Sequence, residues 1–149
     1  MRAAAPPLPC SSTAVSRRHL YLLAAAVTDA TFERTPLDGR PVWVGKCIHC
    51  NSKLVVDDRG QSLGEATLEH IIPQTRGGTN DLANLAVACA RCNREKGKRH
   101  DHKRGLRLDD VVATLQARRT ARWRDPAAVG MASRFTRLGD PALTEAATD

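Results

Sequence analysis

A chain of 149 residues fits a single domain with ends to spare, and with aromatic residues at only 3% its core must rest on Leu, Val, Ile and Ala. A core that lean is marginal on its own, and a structural metal is a usual remedy at that size. The formal charge of +7 and isoelectric point near 9.6 point to nucleic acid as partner; no long amphipathic face with bulky apolar residues favours a membrane surface instead.

In chain order, residues 1–15, rich in Ala, Pro and Ser, read as a disordered tail that carries the lone Cys10. Arg17-Arg18 ahead of the apolar stretch Leu20 to Val27 imitates a signal peptide, but the stretch is far short of the roughly 20 residues that span a bilayer. The pattern predicts a helix over 16–30 with Ser16 as N-cap. Pro36, Gly39 and Pro41 mark a loop. Val42-Trp43-Val44 and Lys53-Leu54-Val55-Val56 predict a hairpin whose tip is Cys47-Ile48-His49-Cys50, ended by Asp57-Asp58-Arg59-Gly60. Ala66 to Ile72 reads as a strand closed by Pro73, Gln74 to Asp81 as a loop carrying Gly77-Gly78, Leu85 to Ala88 as a second strand, and Ala90 to Lys98 as a helix. Asp109 or Asp110 caps a final helix through Val112 and Leu115 toward Trp123. The expected organisation is thus a tail (1–15), a domain (16–125, core 42–100) and a weakly structured C-terminal tail (126–149).

Cys47-x-x-Cys50 and Cys89-x-x-Cys92 carry the first chemistry. Zinc prefers four thiolates at tetrahedral geometry, and two intervening residues let one tight turn present both sulfurs. Two such turns from distant segments would make binding energy into folding energy, on the order of 10 kcal/mol in small zinc peptides. A disulfide framework and a pair of redox motifs are the alternatives; five cysteines are an odd count for the former, and no thioredoxin-like pattern accompanies the latter. A zinc site implies a reducing, intracellular and hence cytoplasmic setting.

Between the two cysteine pairs lies Leu68-Glu69-His70-Ile71-Ile72-Pro73, with Asn84 and Asn93 further on. A lone histidine on a strand is commonly structural, but here an acid and two amides accompany it. The run Leu68-Glu69-His70-Ile71-Ile72-Pro73-Gln74-Thr75-Arg76-Gly77-Gly78, then Asn84-Leu85, then Cys89-x-x-Cys92-Asn93-x-x-Lys96-Gly97 resembles the HNH endonuclease family, in the subgroup with a four-cysteine zinc site. The resemblance covers Cys47 to about Gly97. It implies an α+β fold: a small zinc-stabilised domain with a ββα-metal (His-Me finger) core and flanking helices. It further implies a metal-dependent endonuclease that hydrolyses DNA phosphodiester bonds by nicking or double-strand cleavage. His70 would be the general base, Glu69 and Asn93 the ligands of a catalytic Mg²⁺ or Mn²⁺ ion, Asn84 the residue orienting His70, and Cys47, Cys50, Cys89 and Cys92 the zinc ligands. The family more often has Asp where this chain has Glu69.

That chemistry suits the residues. An imidazole with an ordinary pKa near 6.5 serves as a base at neutral pH, and a hard cation held by carboxylate and amide oxygens acts as Lewis acid on phosphate. One condition attaches. Neighbours on a regular strand face opposite sides, so Glu69 and His70 share a site only if pairing is irregular near Pro73.

The basic residues Arg91, Arg94, Lys96, Lys98, Arg99, Lys103, Arg104 and Arg107, with Arg76 in the Gly-Gly loop, are expected to meet duplex DNA through its backbone. Few aromatics are available to stack single-stranded bases. His49 reads as facing solvent or phosphate, and His19, His100 and His102 as surface residues. Two rivals to the nuclease are a non-catalytic zinc-binding module that holds nucleic acid and an interaction domain of a larger assembly.

Overall fold

Ser16 accepts a hydrogen bond from His19 N at 3.1 Å and starts α1 (Arg17–Val27), as its cap chemistry predicts. The structure is a computed structural model that describes residues 15–99, 107–136 and 138, with the backbone alone at 97–99. The expectations for the tail, Cys10, His100, His102, Lys103 and Arg104, and for the side chains of Lys98 and Arg99, lie outside the described residues. From Tyr21 to Val27 every residue of α1 is buried. The alanines at 24–26 expose no surface, and α1 meets strands of both sheets of the fold.

One sheet has the order β1 (Glu33–Leu37), β2 (Arg40–Lys46), β3 (Lys53–Asp57), all antiparallel. The loop expected at Pro36, Gly39 and Pro41 is instead a hairpin in which Pro36 stands opposite Pro41. Asp38 and Gly39 both have positive φ, the backbone of a two-residue hairpin turn that matches strand twist. Pro36 survives there because β1 is an edge strand, exposed along its whole length, and Pro41 because it precedes the stretch of β2 that pairs with β3, which starts at Val42. The predicted hairpin of β2 and β3 is present, with the first cysteine turn at its tip.

The second sheet pairs β4 (Ala66–His70) with β5 (Leu85–Cys89). Helix α2 (Ala90–Arg99) follows β5 without a break and packs on both strands, so strand, strand and helix form the expected ββα unit. Among the described residues, a three-stranded and a two-stranded antiparallel sheet with three α-helices make the fold α+β.

Helix α3 (Leu108–Arg122) opens at Arg107, not at a side-chain cap; Asp109 and Asp110 fall in its first turn, where negative charge favours the helix N-terminus. Arg119 in it and Arg124 just after it turn inward. Arg119, fully buried, donates to Thr28 O at 3.1 Å, to Thr28 Oγ1 and to Leu82 O at 3.1 Å, and lies over the Trp123 ring. Burial lowers its pKa to about 10, which leaves it charged at neutral pH. Arg124 donates to Val27 O at 2.9 Å and Phe32 O at 2.7 Å. Beyond Pro126 the chain is better packed than its composition suggests: Met131, Phe135 and Leu138 are buried, and Leu138 O accepts from Tyr21 Oη at 2.8 Å. Among the described residues no helix is long and apolar enough to cross a membrane.

Gly45 on β2 faces the buried Phe32, and a Cβ there would overlap the ring. Gly45→Ala should therefore lower stability by about 1–3 kcal/mol, read as a drop in the urea midpoint with an unchanged slope. Adding Phe32→Leu should return part of that loss.

Candidate active site and metal centre

The first cysteine turn needs a left-handed residue to close, and Asn51 supplies it with φ 64°. Asn51 N bonds Cys47 O at 3.1 Å, Cys47 N bonds Ser52 O at 2.9 Å, and Ile48 N bonds Val87 O at 3.0 Å, which docks the turn on β5. Arginines of α3 hold it from outside. Arg118 donates to the carbonyls of Ile48 and His49 at 3.0 and 2.9 Å, and Arg122 to Asn51 Oδ1 at 2.6 Å. The second turn forms where β5 runs into α2.

The two turns bring the sulfurs of Cys47, Cys50, Cys89 and Cys92 within 4.8 Å of one another. Cys50 Sγ and Cys89 Sγ are 3.9 Å apart. Zn–S bonds of about 2.3 Å at tetrahedral angles require sulfurs about 3.8 Å apart, so the cluster fits a zinc ion. Backbone N–H groups of His49 and Cys89 point at Cys47 Sγ, each at 3.3 Å, and Cys92 N points at Cys89 Sγ at 3.4 Å. Donors of that kind stabilise thiolate.

The thiols differ in acidity. Hydrogen bonds from the Ser52 hydroxyl and backbone lower Cys50 to about 6. Burial raises Cys47, and burial with the neighbouring thiols raises Cys92 well above the usual thiol range. Four sulfurs this close resist ionising together without a cation to neutralise them, and a metal ion that displaces the protons removes that conflict.

β4 and β5 pair in unbroken register, Glu69 opposite Ala86 and His70 opposite Leu85. The irregularity that a shared site for Glu69 and His70 requires is not there, and the two side chains part. Glu69 is fully buried. Its Oε1 accepts from His49 Nε2 at 2.8 Å, and its Oε2 lies 2.9 Å from Lys96 Nζ. Lys96 also donates to His70 O and Ile71 O, each at 2.6 Å. Glu69, expected to hold a cation beside His70, therefore faces away from it. In this conformation the carboxylate joins the first cysteine turn, β4 and α2 in a buried charge cluster. His49, expected to face solvent or phosphate, faces Glu69, and Lys96, expected to meet nucleic acid, is only 7% exposed and spends its ammonium on Glu69 and the two carbonyls.

His70 lies on the other side, in a cleft of about 440 Å³ lined by Leu68, Asn93, Lys96, Leu108, Arg76 and the loop after Pro73. Asn93 Nδ2 donates to Leu68 O at 3.0 Å and Thr67 Oγ1 at 3.1 Å, which fixes the amide against β4. Of the two expected cation ligands the cleft therefore holds one, and a carboxylate-bearing cation site does not fit it as it stands. Arg76 is exposed at the rim; Arg91 and Arg94 are exposed on α2.

The orienting contact to His70 comes from Asn80, whose Oδ1 is 2.8 Å from His70 Nε2. Asn84, expected in that place, instead clamps the loop. Its Oδ1 accepts from Ile72 N at 2.8 Å, and its Nδ2 donates to Thr79 O at 2.8 Å and Ile72 O at 3.2 Å. Sequence reasoning did not place Asn80, and it placed His49 toward solvent or phosphate instead of Glu69. Asn80 sits in an irregular loop with no periodic pattern, and the His49–Glu69 contact joins segments that no spacing rule relates.

Cys92→Ser should lower bound metal, measured by elemental analysis, and thermal stability together, and chelation of the wild type should reproduce the stability loss. Folded wild-type protein without metal would contradict this.

The HNH endonuclease family model matches residues 47–99, a span that runs from the first cysteine turn to the end of α2. No curated protein and no solved structure matches the chain. Four cysteines positioned to bind a metal ion and a ββα unit between and after them thus lie within the span, residues 47–99, that is similar to the HNH endonuclease domain.

Proposed function

We propose that the protein hydrolyses phosphodiester bonds in DNA, with His70 as general base. The observation that carries this reading is the setting of His70: an imidazole held by one ring nitrogen at the wall of an open cleft, beside Asn93 and the exposed guanidinium of Arg76. Water attacking phosphorus must lose a proton as the bond forms, and a positioned imidazole takes it, worth about 10²–10⁴ in rate. The main chain carrying the ring is fixed too, since Lys96 holds His70 O and Ile71 O from α2. Arg76 would neutralise phosphate charge at the rim, and Arg91 and Arg94 on α2, with Lys98 and Arg99 beyond them, would meet the duplex backbone nearby.

A divalent ion such as Mg²⁺ or Mn²⁺ would supply Lewis-acid charge at the phosphate when bound. Asn93 is the protein ligand the cleft offers it; the buried Glu69 is not, as the carboxylate stands. A tetrathiolate zinc site with DNA as substrate suits the reducing interior of a cell.

The turned-away Glu69 favours a second reading, a zinc-bearing module that holds nucleic acid without cutting it. Supercoiled plasmid incubated with the protein and Mg²⁺ or Mn²⁺ separates the two. The nuclease should give nicked or linear DNA, and His70→Ala should slow cleavage by about 10²–10⁴ while DNA retention in a gel persists. Retarded but intact plasmid under every metal would select the binding module, and undiminished cleavage by His70→Ala would remove His70 from its role.

A further inference from the structure

We propose that Asn80 is the positioning residue of the base: it fixes neutral His70 as the Nε2–H tautomer and thereby makes Nδ1 the atom that accepts the proton from water. The assignment of the proton rests on the reading of His70 as base; the tautomer itself does not. The Asn80 oxygen 2.8 Å from Nε2 is an amide carbonyl, which can only accept, so the hydrogen between the two atoms belongs to the ring. A neutral imidazole carries one proton, and placing it on Nε2 leaves the Nδ1 lone pair bare. The partner of the far ring nitrogen sets the tautomer, as the carboxylate does for the histidine of serine hydrolases.

Asn80 is presented to His70 by a loop that is held at several points. Gly78 N donates to Pro73 O at 2.9 Å, and a Cβ at Gly78 would overlap Ile72 O, so that turn demands glycine. Asn84 Nδ2 then binds Thr79 O, the carbonyl just before Asn80, while the rest of its amide binds Ile72. Asn84 N donates to Asp81 O at 2.7 Å on the far side. Asn80 is thereby pinned from both flanks across from a strand end whose carbonyls Lys96 holds. Asn84 acts on the imidazole through this route: amide to Thr79 carbonyl, Thr79 to Asn80, Asn80 to the ring.

The test uses the full zinc-loaded chain with ¹⁵N-labelled histidine, in long-range proton–nitrogen spectra above the titration of the ring. The His70 signals are those lost in His70→Ala. The wild type should show Nε2 protonated and Nδ1 bare. Asn80→Ala should give averaged, mixed-tautomer nitrogen shifts and a kcat at least about tenfold lower at unchanged KM, with zinc content and melting temperature retained. Asn80→Asp keeps an acceptor at the same place and should keep the Nε2–H tautomer. An Nδ1–H tautomer in the wild type overturns the proposal without any variant, as does an Asn80→Ala protein with unchanged shifts and kcat. The base assignment fails separately, through cleavage that survives His70→Ala, and that result leaves the tautomer measurement standing.

Discussion

Four sulfurs drawn within 4.8 Å of one another are the constraint on which the remaining geometry depends. Two of them come from the tip of the β2–β3 hairpin and two from the junction of β5 with α2, so the cluster closes a long stretch of chain and joins the two sheets. The fold invests in that closure from every side. β5 receives the first turn through Ile48 N, α3 caps its carbonyls with Arg118 and Arg122, and backbone N–H groups point at the sulfurs. A core this poor in aromatic residues has little else with which to fix α2 against the hairpin, and α2 carries both Asn93 and Lys96 into the cleft wall.

Strand parity decides what the cleft contains. With β4 and β5 in regular register, successive side chains alternate, and only one of Glu69 and His70 can face the opening. The carboxylate went inward, where an uncompensated charge would be costly. It is compensated: His49 donates to one oxygen, and the Lys96 ammonium lies close to the other while directing hydrogens at two main-chain carbonyls. This one cluster links the knuckle, the strand that bears His70 and the helix that bears Asn93. Glu69 thus governs the alignment of the cleft from behind, and any role for it in front of His70 would require that cluster to open.

Local chemistry was legible where it is written locally. Ser16 capped its helix, the doubled C-x-x-C pattern met in space, and the strand–loop–strand–helix order over 66–99 stood as read. The hairpin through Pro36 and Pro41 was obscured because proline and glycine punctuate loops and edge hairpins alike, and only pairing with β2 tells them apart. Asn80 and Asn84 show the limit more sharply. Both lie in the same loop with the same side chain, and which one reaches the imidazole is set by backbone hydrogen bonds to Ile72 and Thr79 that no residue pattern announces. The buried clustering of Met131, Phe135 and Leu138 escaped notice for the same reason, being single apolar residues spaced along short turns.

The charge of the chain divides by use, and that division bears on any argument from basicity. A surplus of +7 invites an electrostatic account of partner choice, yet many of the arginines never face a partner. Arg118, Arg119, Arg122 and Arg124 spend their donors on carbonyls of α1, the first cysteine turn and the segments between, and Lys96 does the same for β4. A guanidinium carries five donors in a fixed fork and is more weakly hydrated than an ammonium, so it can serve as an internal brace where a small core lacks bulk. These cations still add to the long-range field, but they do not move to meet a phosphate. Of the basic residues proposed to meet DNA, Arg76 is exposed in the lining of the His70 cleft, and Arg91 and Arg94 are exposed on α2. Salt dependence of binding should scale with that local set rather than with the net charge, because only phosphates actually neutralised release counterions.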